Sequence, residues 1–582
     1  MKHALSVFVP AVLSALLLWA VYPPMGEVCA LAFALVPLLV VSRLGTPKRA
    51  AQTWFLGGFL FWFATLAWMP AIVKNNGPLP LVVLGWMGLA ALCAGYFALF
   101  GWLSARAWRR LSAPRRPASP VRKLLLVLFA EPVLWAGIEW VRSWLFTGFA
   151  WNFLGTALGQ IPSLAAPARL GGVYLVSALV VLLNGVFATL ACRLWAQMRP
   201  QRTGDADGRL EVWRLAFGNR WGRMCETALP LGLILLAFGL SNLSLMSFFS
   251  PGGTGALREE SSVLALRVAL VQRNAPCIFA RRDGAQDPYE VFDRLLAVAS
   301  AARPDLVVWA ESAMSEFGHL GSDGARHAAL FFARKTGGAS LLAGGDWWYR
   351  VQDGEKEVRR VWNAAALYTP TATNVALQVY GKQHLVPFGE YIPFDKWIPP
   401  LQRLSPVGVS IWPGEAKVLR LRLNREEGAT VALAPLICYE DTDPVLARRA
   451  ARLGAQAIVL ITNDSWFSHS QEPVQHAWQA VLRAIETGLP VVRVGNSGVT
   501  GIIFPSGRTR WLEDGDGRPL VDAAGTMVES VPVVASPDLT PYVRFGDGPL
   551  AVLFAVCLCF VCYNPKKECP WCAKQNLAEL VE

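Results

Sequence analysis

The sequence predicts a polytopic α-helical membrane domain joined to a soluble α/β domain. Of its 582 residues, 54% are hydrophobic, only 16% are charged, and 24 are tryptophan. This composition is too apolar for a wholly soluble, disordered or coiled-coil chain. Most apolar residues fall in blocks of about twenty, the length that crosses a bilayer, whereas one long C-terminal segment has short β-rich runs instead. The chain therefore divides into a membrane part and a soluble part.

Eight apolar blocks reach or approach the roughly 20 residues that a membrane-crossing helix requires. They lie at about 3–22, 27–42, 53–73, 79–104, 123–140, 171–192, 228–249 and 549–563. The second and the last are short enough to be tilted or re-entrant segments. We expect the first block to be a retained helix rather than a signal peptide, because no small-x-small cleavage site follows Ala20.

Lysine and arginine residues in the short loops predict the orientation, because basic loops stay in the cytoplasm. The loop after the second block carries Arg43, Lys48 and Arg49, and the loop after the fourth carries seven basic residues and no acid. The loop after the third block has only Lys74. The net charge of +12 is concentrated in these loops, so it indicates membrane orientation rather than nucleic-acid binding. We therefore expect a membrane domain of about seven helices over 1–250, an extracytoplasmic domain over 262–540, a last span over 549–563 and a cytoplasmic tail over 564–582.

The soluble segment has the texture of an α/β domain, because short runs such as "DLVVWA" and "TVALAPLIC" alternate with helical stretches. Three reactive side chains follow such runs directly: Glu311, Lys382 and Cys438. In α/β folds the edge where strands end is a common place for a site. A thiol, a base and a cation together suit acyl transfer through a thioester. The alternative is that these are three unrelated loop residues, and position alone does not decide between the two.

Three segments carry a resemblance to a known superfamily: "VVWAESA", "YGKQHLVPFGEYIPF" and "LICYED". They resemble the signature segments of the nitrilase superfamily of Cys-Glu-Lys enzymes. Further segments are similar to a membrane-embedded branch of it, the apolipoprotein N-acyltransferases: "NDSWF", "GNSGVTGIIFPSG", "TPYVRFGDGPL" and, in the membrane part, "EWVRSWLFTGFAWNFLG". The resemblance covers about residues 20–563. It implies an α-β-β-α sandwich for the soluble domain.

The resemblance implies a role for each of the three strand-end residues. Cys438 is the nucleophile, Glu311 the general base and Lys382 the stabiliser of the oxyanion, assisted by the backbone amide of Tyr439. The thiol would take an acyl chain from a phospholipid as a thioester. The N-terminal amine of an S-diacylglyceryl cysteine on an apolipoprotein would then accept it. No metal or other cofactor is required, and we expect a monomer in the bacterial inner (cytoplasmic) membrane with its catalytic domain on the periplasmic side.

The resemblance also implies supporting roles for Glu390, Tyr439 and Glu440. Glu390 matches a second acid of the family that positions Lys382 or the incoming amine. Tyr439 and Glu440 directly follow the nucleophile, and the alternative for them is ordinary packing after a strand. Arg142, in an aromatic loop after the fifth block, is expected to meet a lipid phosphate.

Two features depart from the family pattern. The tryptophan expected after the first strand of the soluble domain is missing, and Phe279 or Arg281 stands in that region. The tail has two Cys-x-x-Cys pairs, which suit zinc but are interpreted here as membrane-face cysteines and a solvent tail. We expect Cys277 to be a small buried residue rather than the disulfide partner of Cys438, and we expect His384, His469 and His476 to have structural roles.

Other functions remain open at this stage. A membrane-tethered carbon-nitrogen hydrolase would pass the acyl group to water, so the acceptor distinguishes it from a transferase. A catalytically dead scaffold would not be expected to keep all of Glu311, Lys382 and Cys438. A transporter is disfavoured because no repeated pattern of charged residues lies within the spans.

Overall fold

A computed structural model of the protein describes residues 2–75, 77–111, 124–198, 220–249, 263–277, 287–353, 356–393, 411–423 and 429–562. The predicted cytoplasmic tail over 564–582, with its cysteine pair, lies outside the described residues. So do Phe279 and Arg281.

The N-terminal part is a helical bundle. Its helices are α1 (Lys2–Val21), α2 (Val36–Leu44), α3 (Pro47–Thr65), α4 (Leu79–Leu111), α5 (Glu131–Arg142), α6 (Pro162–Ala165), α7 (Ala168–Met198) and α8 (Arg220–Phe249). Five shorter helical turns join them: the 3₁₀ turns Val28–Ala32, Met69–Asn75, Leu145–Thr147 and Leu154–Gln160 and the π-helical turn Leu126–Ala130.

Three helical segments of the described part are long and apolar enough to cross a membrane: Pro47–Asn75, Leu79–Arg110 and Ala168–Met198. Four further apolar helices are shorter: Leu5–Val21, Val28–Leu44, Ala228–Leu243 and Gly548–Cys562. All eight predicted blocks fall on helical structure. The block over 123–140 coincides with the π-helical turn and α5.

A buried polar cluster holds the bundle together at one end. Arg43, at the end of α2, forms a 2.7 Å ion pair with Glu131 at the start of α5. Glu131 also accepts hydrogen bonds from Ser104 and Trp108 of α4, and Arg43 donates to Thr189 of α7. Four helices thus meet at one buried charge pair, and removing one partner would leave the other charge uncompensated in an apolar interior.

The α/β domain between α8 and the last helix contains two six-stranded sheets. Its strands are β1 (Val263–Gln272), β2 (Leu306–Trp309), β3 (Ser340–Asp353), β4 (Lys356–Pro370), β5 (Val375–Gly381), β6 (Leu419–Arg422), β7 (Thr430–Ile437), β8 (Ala457–Thr462), β9 (Val491–Gly495), β10 (Gly501–Ile503), β11 (Thr509–Trp511) and β12 (Gly525–Val534). The first sheet has the order β12-β1-β2-β3-β4-β5 and the second β11-β10-β9-β8-β7-β6.

Helices cover the outer face of each sheet. They are α9 (Pro288–Ala302), α10 (Asp323–Lys335), α11 (Pro444–Arg452) and α12 (Glu472–Thr487), and α13 (Pro541–Phe545) and α14 (Gly548–Cys562) end the described chain. Side chains such as Leu270, Val308, Leu433 and Ile461 fill the space between the sheets. Helices α9 and α10 pack on the first sheet, and α11 and α12 pack on the second. The α-β-β-α sandwich implied by the resemblance is therefore confirmed.

The helical layer on the second sheet is continuous with the core of the helical bundle. Gln475 of α12 accepts hydrogen bonds from Trp151 (3.2 Å) and Asn152 (3.3 Å) of the bundle. Asn75, at the end of the span that begins at Pro47, donates to the carbonyl of Trp466 at 3.0 Å. The second sheet therefore rests on the bundle through buried polar contacts as well as apolar ones.

Candidate active site

The structure brings the three strand-end residues together where the two sheets face each other. Glu311 follows β2 and Lys382 follows β5 of the first sheet, while Cys438 follows β7 of the second. The Lys382 ammonium lies 3.9 Å from a Glu311 carboxylate oxygen. The charges of both residues act on the Cys438 thiol. Gly344 of β3 allows this approach, because a Cβ there would lie 2.6 Å from the Glu311 Cα.

Glu390 is the nearest partner of Lys382. Its Oε1 lies 3.0 Å from the Lys382 Nζ, and its Oε2 accepts the Val386 N–H at 2.8 Å. The Lys382 side chain is only 1% exposed, so its ammonium depends on these carboxylates in place of water. The structure thus places Glu390 beside Lys382, as expected from the sequence.

Asn363 also lies at this site, although none of the motifs quoted above includes it. It lies on β4, and its side-chain amide donates to Glu311 at 2.7 Å and to Glu390 at 2.6 Å. The amide therefore bridges Glu311 and Glu390, the two acids that flank Lys382. The available signal was a single asparagine within the apolar run "VWNAAALY" of a strand, where a buried amide must find partners.

The backbone at Cys438 turns sharply out of the sheet. Its φ is +54°, in the left-handed region that costs a non-glycine residue about 1–3 kcal/mol. Cys438 is also the first residue of the 3₁₀ turn Cys438–Thr442. The strained residue and the start of the turn thus coincide at the end of β7.

Glu440 holds that turn in place. Its carboxylate is fully buried and accepts the backbone N–H groups of Ile437 (2.8 Å), Gln383 (2.6 Å) and His384 (3.2 Å) and the Tyr380 hydroxyl. Burial raises the pKa of Glu440 to about 7, although Lys382 and the N–H donors oppose the shift. Glu440 therefore ties the turn Cys438–Thr442 to the loop that carries Lys382.

The three central groups perturb one another. Burial raises the pKa of the Cys438 thiol well above its ordinary value, Glu311 raises it further, and Lys382 opposes both. Burial also raises the pKa of Glu311, against the attraction of Lys382. Burial by itself would lower the pKa of Lys382, but the surrounding acids, with Glu390 first, raise it above the ordinary lysine value. The site thus combines a thiol and a carboxyl group whose pKa values are both raised with a lysine whose pKa stays above its ordinary value.

Tyr439 connects the site to the helical bundle. Its hydroxyl oxygen accepts the Ala150 N–H at 3.1 Å, and its ring stacks on Phe149 (16° between planes) and Trp151 (9°). The Arg142 side chain is buried and donates to the carbonyls of Phe149 (2.8 Å) and Trp151 (2.9 Å). Arg142 therefore orders this loop, which is a different role from the lipid-phosphate contact expected from the sequence.

The structure also places Cys277 and the three histidines named from the sequence. Cys277 is buried, and no disulfide joins it to Cys438, both residues being described. His384 lies 3.5 Å from Asp443, the exposed His469 lies 3.2 Å from the partly buried Asp522, and His476 lies between two buried aspartates.

One group of described residues has the composition of a metal site. Ligand atoms of Asp464, Glu472 and His476 lie within 4.8 Å of one another. However, the Arg493 guanidinium lies 3.3 Å from the second oxygen of Asp464 and already supplies the compensating positive charge. A divalent ion beside it would meet strong repulsion.

Comparisons with known proteins match both parts of the chain. Residues 14–186 match the family model "Apolipoprotein N-acyltransferase N-terminal domain", and residues 267–534 match "Carbon-nitrogen hydrolase". The apolipoprotein N-acyltransferase of Pseudomonas aeruginosa is 30% identical over 91% of this chain and 90% of that protein. Those of Rhodopseudomonas palustris (30%; 89% and 87%) and Geobacter metallireducens (29%; 87% and 86%) are also similar. Among solved structures, an amidase from Nesterenkonia sp. is 20% identical over 49% of this chain and 94% of its own, with a TM-score of 0.32.

Proposed function

The chain belongs to the apolipoprotein N-acyltransferase family, and from that premise we propose that it transfers an acyl chain from a membrane phospholipid to an apolipoprotein. The acceptor is the N-terminal amine of S-diacylglyceryl cysteine, so the reaction completes lipoprotein maturation. The observation that carries the proposal is the meeting of Cys438, Glu311 and Lys382 beside a loop of the helical bundle.

The first half-reaction forms a thioester on Cys438. Glu311 takes the thiol proton as the sulfur attacks the ester carbonyl of the phospholipid, and the carbonyl becomes a tetrahedral oxyanion. Lys382 and the Tyr439 amide stabilise that oxyanion. When the ester C–O bond breaks, Glu311 returns the proton to the departing glycerol oxygen. The lysophospholipid leaves, and the acyl group remains on the sulfur.

The second half-reaction forms the amide. The neutral α-amine of the diacylglyceryl cysteine attacks the thioester carbonyl, and Glu311 accepts a proton from the attacking nitrogen. Collapse of the second tetrahedral intermediate breaks the C–S bond, and the sulfur recovers its proton from Glu311. The same base, cation and nucleophile thus serve both steps, and the two substrates enter in turn.

The contacts between the two domains support a site at the membrane surface. Tyr439, next to the nucleophile, is held by the loop that contains Ala150, so Cys438 is fixed relative to the bundle. Both substrates are lipids, and a site held at the height of their ester groups gains the advantage of fixed proximity.

The apolar segment Pro47–Asn75 supports a catalytic domain on the periplasmic side. Its first turn carries the basic residues Lys48 and Arg49, whereas its far end, at Asn75, contacts the catalytic domain. These two ends lie a full span of 29 residues apart. Because basic ends face the cytoplasm, the catalytic domain belongs on the opposite side, and we propose that the protein works there as a monomer.

The proposal is tested by peptide mass spectrometry on the purified protein after incubation with a phospholipid of defined acyl chain. We expect an acyl mass on the Cys438 peptide that hydroxylamine removes and that an S-diacylglyceryl peptide discharges. Cys438→Ala should lose the adduct, and Cys277→Ser, a matched change at a second buried cysteine, should keep it. An adduct discharged equally fast by water alone would indicate a hydrolase, and no adduct would refute the nucleophile.

A further inference from the structure

A buried cluster of charged side chains adjoins the turn Cys438–Thr442, which contributes Asp441 to it. Asp441, Asp464, His476 and Arg493 are each at most 1% exposed. His476 Nδ1 lies 3.0 Å from Asp464 Oδ1, and His476 Nε2 lies 3.0 Å from Asp441 Oδ1. Arg493 donates to the other oxygen of each aspartate, at 3.1 Å to Asp441 and 3.3 Å to Asp464.

The geometry determines the charge of His476. Both ring nitrogens face carboxylate oxygens at 3.0 Å, and a neutral imidazole has a hydrogen on only one of them. A bare nitrogen facing a carboxylate lone pair would be repelled, so both nitrogens carry hydrogens and the ring is an imidazolium. The two cations His476 and Arg493 then balance the two aspartates.

Glu472 is the remaining acid at this cluster. It precedes His476 by one turn of α12, and one oxygen lies 3.6 Å from His476 Nδ1, while the other is buried with no hydrogen-bond partner among the described residues. Burial raises the pKa of Glu472 well above its ordinary value, and Asp464 raises it further. Glu472 therefore lies beside a cluster in which two cations already balance two aspartates.

Thr462 connects this cluster to the nucleophile. β7 and β8 run parallel with Ile437 paired to Ile461, so Cys438 and Thr462 are neighbours at the ends of the two strands, and the Thr462 hydroxyl donates to Asp464 Oδ1 at 2.7 Å. A hydroxyl has one proton to donate. Because Asp464 receives it, Thr462 presents only lone pairs to Cys438 in the resting site, an arrangement that suits the thiol but not the thiolate.

We propose that His476 and Arg493 are positioning residues that neutralise Asp464, so that Thr462 can turn its hydroxyl proton from Asp464 to the Cys438 sulfur as the thiolate forms. When Thr462 turns, Asp464 keeps its other donors, His476 on Oδ1 and Arg493 on Oδ2. No buried carboxylate is then left without partners. The inference rests on the proposed role of Cys438 as the nucleophile.

The charge of Asp464 explains why both cations are needed. Asp464 acts on the Cys438 thiol and disfavours its ionisation. His476 and Arg493 offset this effect from the far side of the carboxylate. The other charges that act on the thiol, Glu311 and Lys382, belong to the first sheet and are untouched by changes in the cluster. Loss of the His476 charge alone should therefore make the thiol harder to ionise.

The test is the pH dependence of Cys438 alkylation by iodoacetamide in the full-length, detergent-solubilised protein. Peptide mass spectrometry separates Cys438 from the other cysteines, and no lipid substrate is needed. We expect His476→Gln to move the midpoint to higher pH by about one unit and Asp464→Asn to move it to lower pH, as the loss of a neighbouring charge requires. Glu472→Gln, a change of the same size in the same buried cluster, should leave the midpoint in place.

A second pair of variants keeps the inference testable if His476→Gln does not fold. Thr462→Val removes the hydroxyl and should raise the midpoint, whereas Thr462→Ser should keep it. A midpoint that stays at the wild-type value in folded His476→Gln, or that is the same in Thr462→Val and Thr462→Ser, would overturn the inference. Alkylation that behaves as expected, together with no acyl adduct on Cys438, would refute the proposed function and leave this inference intact.

Discussion

Glu390→Gln should slow thioester formation, because it removes the closest charge partner of Lys382. At an effective dielectric constant of about 20, the 3.0 Å contact of Lys382 with Glu390 corresponds to about 5 kcal/mol. On the same scale, the 3.9 Å contact with Glu311 corresponds to about 4 kcal/mol. The substitution therefore removes the stronger of the two ion-pair contacts of a lysine that is only 1% exposed.

The consequence is that Lys382 moves toward the base. Without the Glu390 charge, the ammonium pairs with Glu311 alone and leaves the position from which it stabilises the oxyanion. Loss of one oxyanion donor costs about 10²–10³-fold in rate, and we expect about 10²-fold because the glutamine amide oxygen still orients Asn363. The pKa of Glu311 should also fall, since Glu390 is one of the groups that raise it.

The assay is a single-turnover measurement of Cys438 acylation by a labelled phospholipid over a range of pH. Glu357→Gln is the matched control, because Glu357 lies on a strand of the same sheet and its ion pair with Arg350 is exposed to solvent. We expect the control to react at the wild-type rate. A Glu390→Gln rate within threefold of wild type, with its pH profile unmoved, would show that Glu390 does not position Lys382.

The wild-type acylation rate should fall as the pH drops through the pKa of Glu311, because Glu311 must be ionised to accept the thiol proton. Burial raises that pKa, so the fall should come at higher pH than for an ordinary glutamate. Glu311→Gln should abolish acylation at every pH. Tyr439→Phe loses only the hydroxyl that accepts the Ala150 N–H and should lower the acylation rate by no more than about 10-fold. Tyr439→Ala also loses the ring stacking, so its rate should fall further. Equal acylation rates of the two variants in a stopped-flow comparison would contradict this. Glu440→Gln turns an amide donor toward the Ile437 N–H and should lower the free energy of unfolding by about 1–3 kcal/mol. The loss should appear as a lower midpoint of chemical unfolding in detergent. An unchanged midpoint would refute the anchoring role of Glu440.

The sequence predicts the positions of the reactive residues well, for a physical reason. Glu311, Lys382 and Cys438 each follow a strand directly, so recognising the strands already places the three side chains at strand ends. The α-β-β-α layering came from the resemblance. The short block over 27–42 is also helical, as predicted, although it is built from the 3₁₀ turn Val28–Ala32 followed by α2.

Side-chain contacts that depend on tertiary packing could not be predicted. Asn363 bridges two acids only because the register of β3, β4 and β5 brings it beside Glu311. Tyr439 meets Ala150 across 289 residues of sequence. Arg142 turns inward to its own loop, which its position in an aromatic, interfacial-looking segment does not reveal. Such contacts follow from tertiary packing and leave no local pattern.

The central claim is that one thioester on Cys438 links a phospholipid donor to an amine acceptor. It is tested most directly by isolating the acylated protein, removing the lipid, and following loss of the acyl group in a single turnover. We predict rapid discharge to an S-diacylglyceryl cysteine peptide, with the acyl chain recovered as an amide on that peptide, and slow discharge when the same peptide has an acetylated N-terminus. Loss of the acyl group to water at the same rate with either peptide would contradict the account.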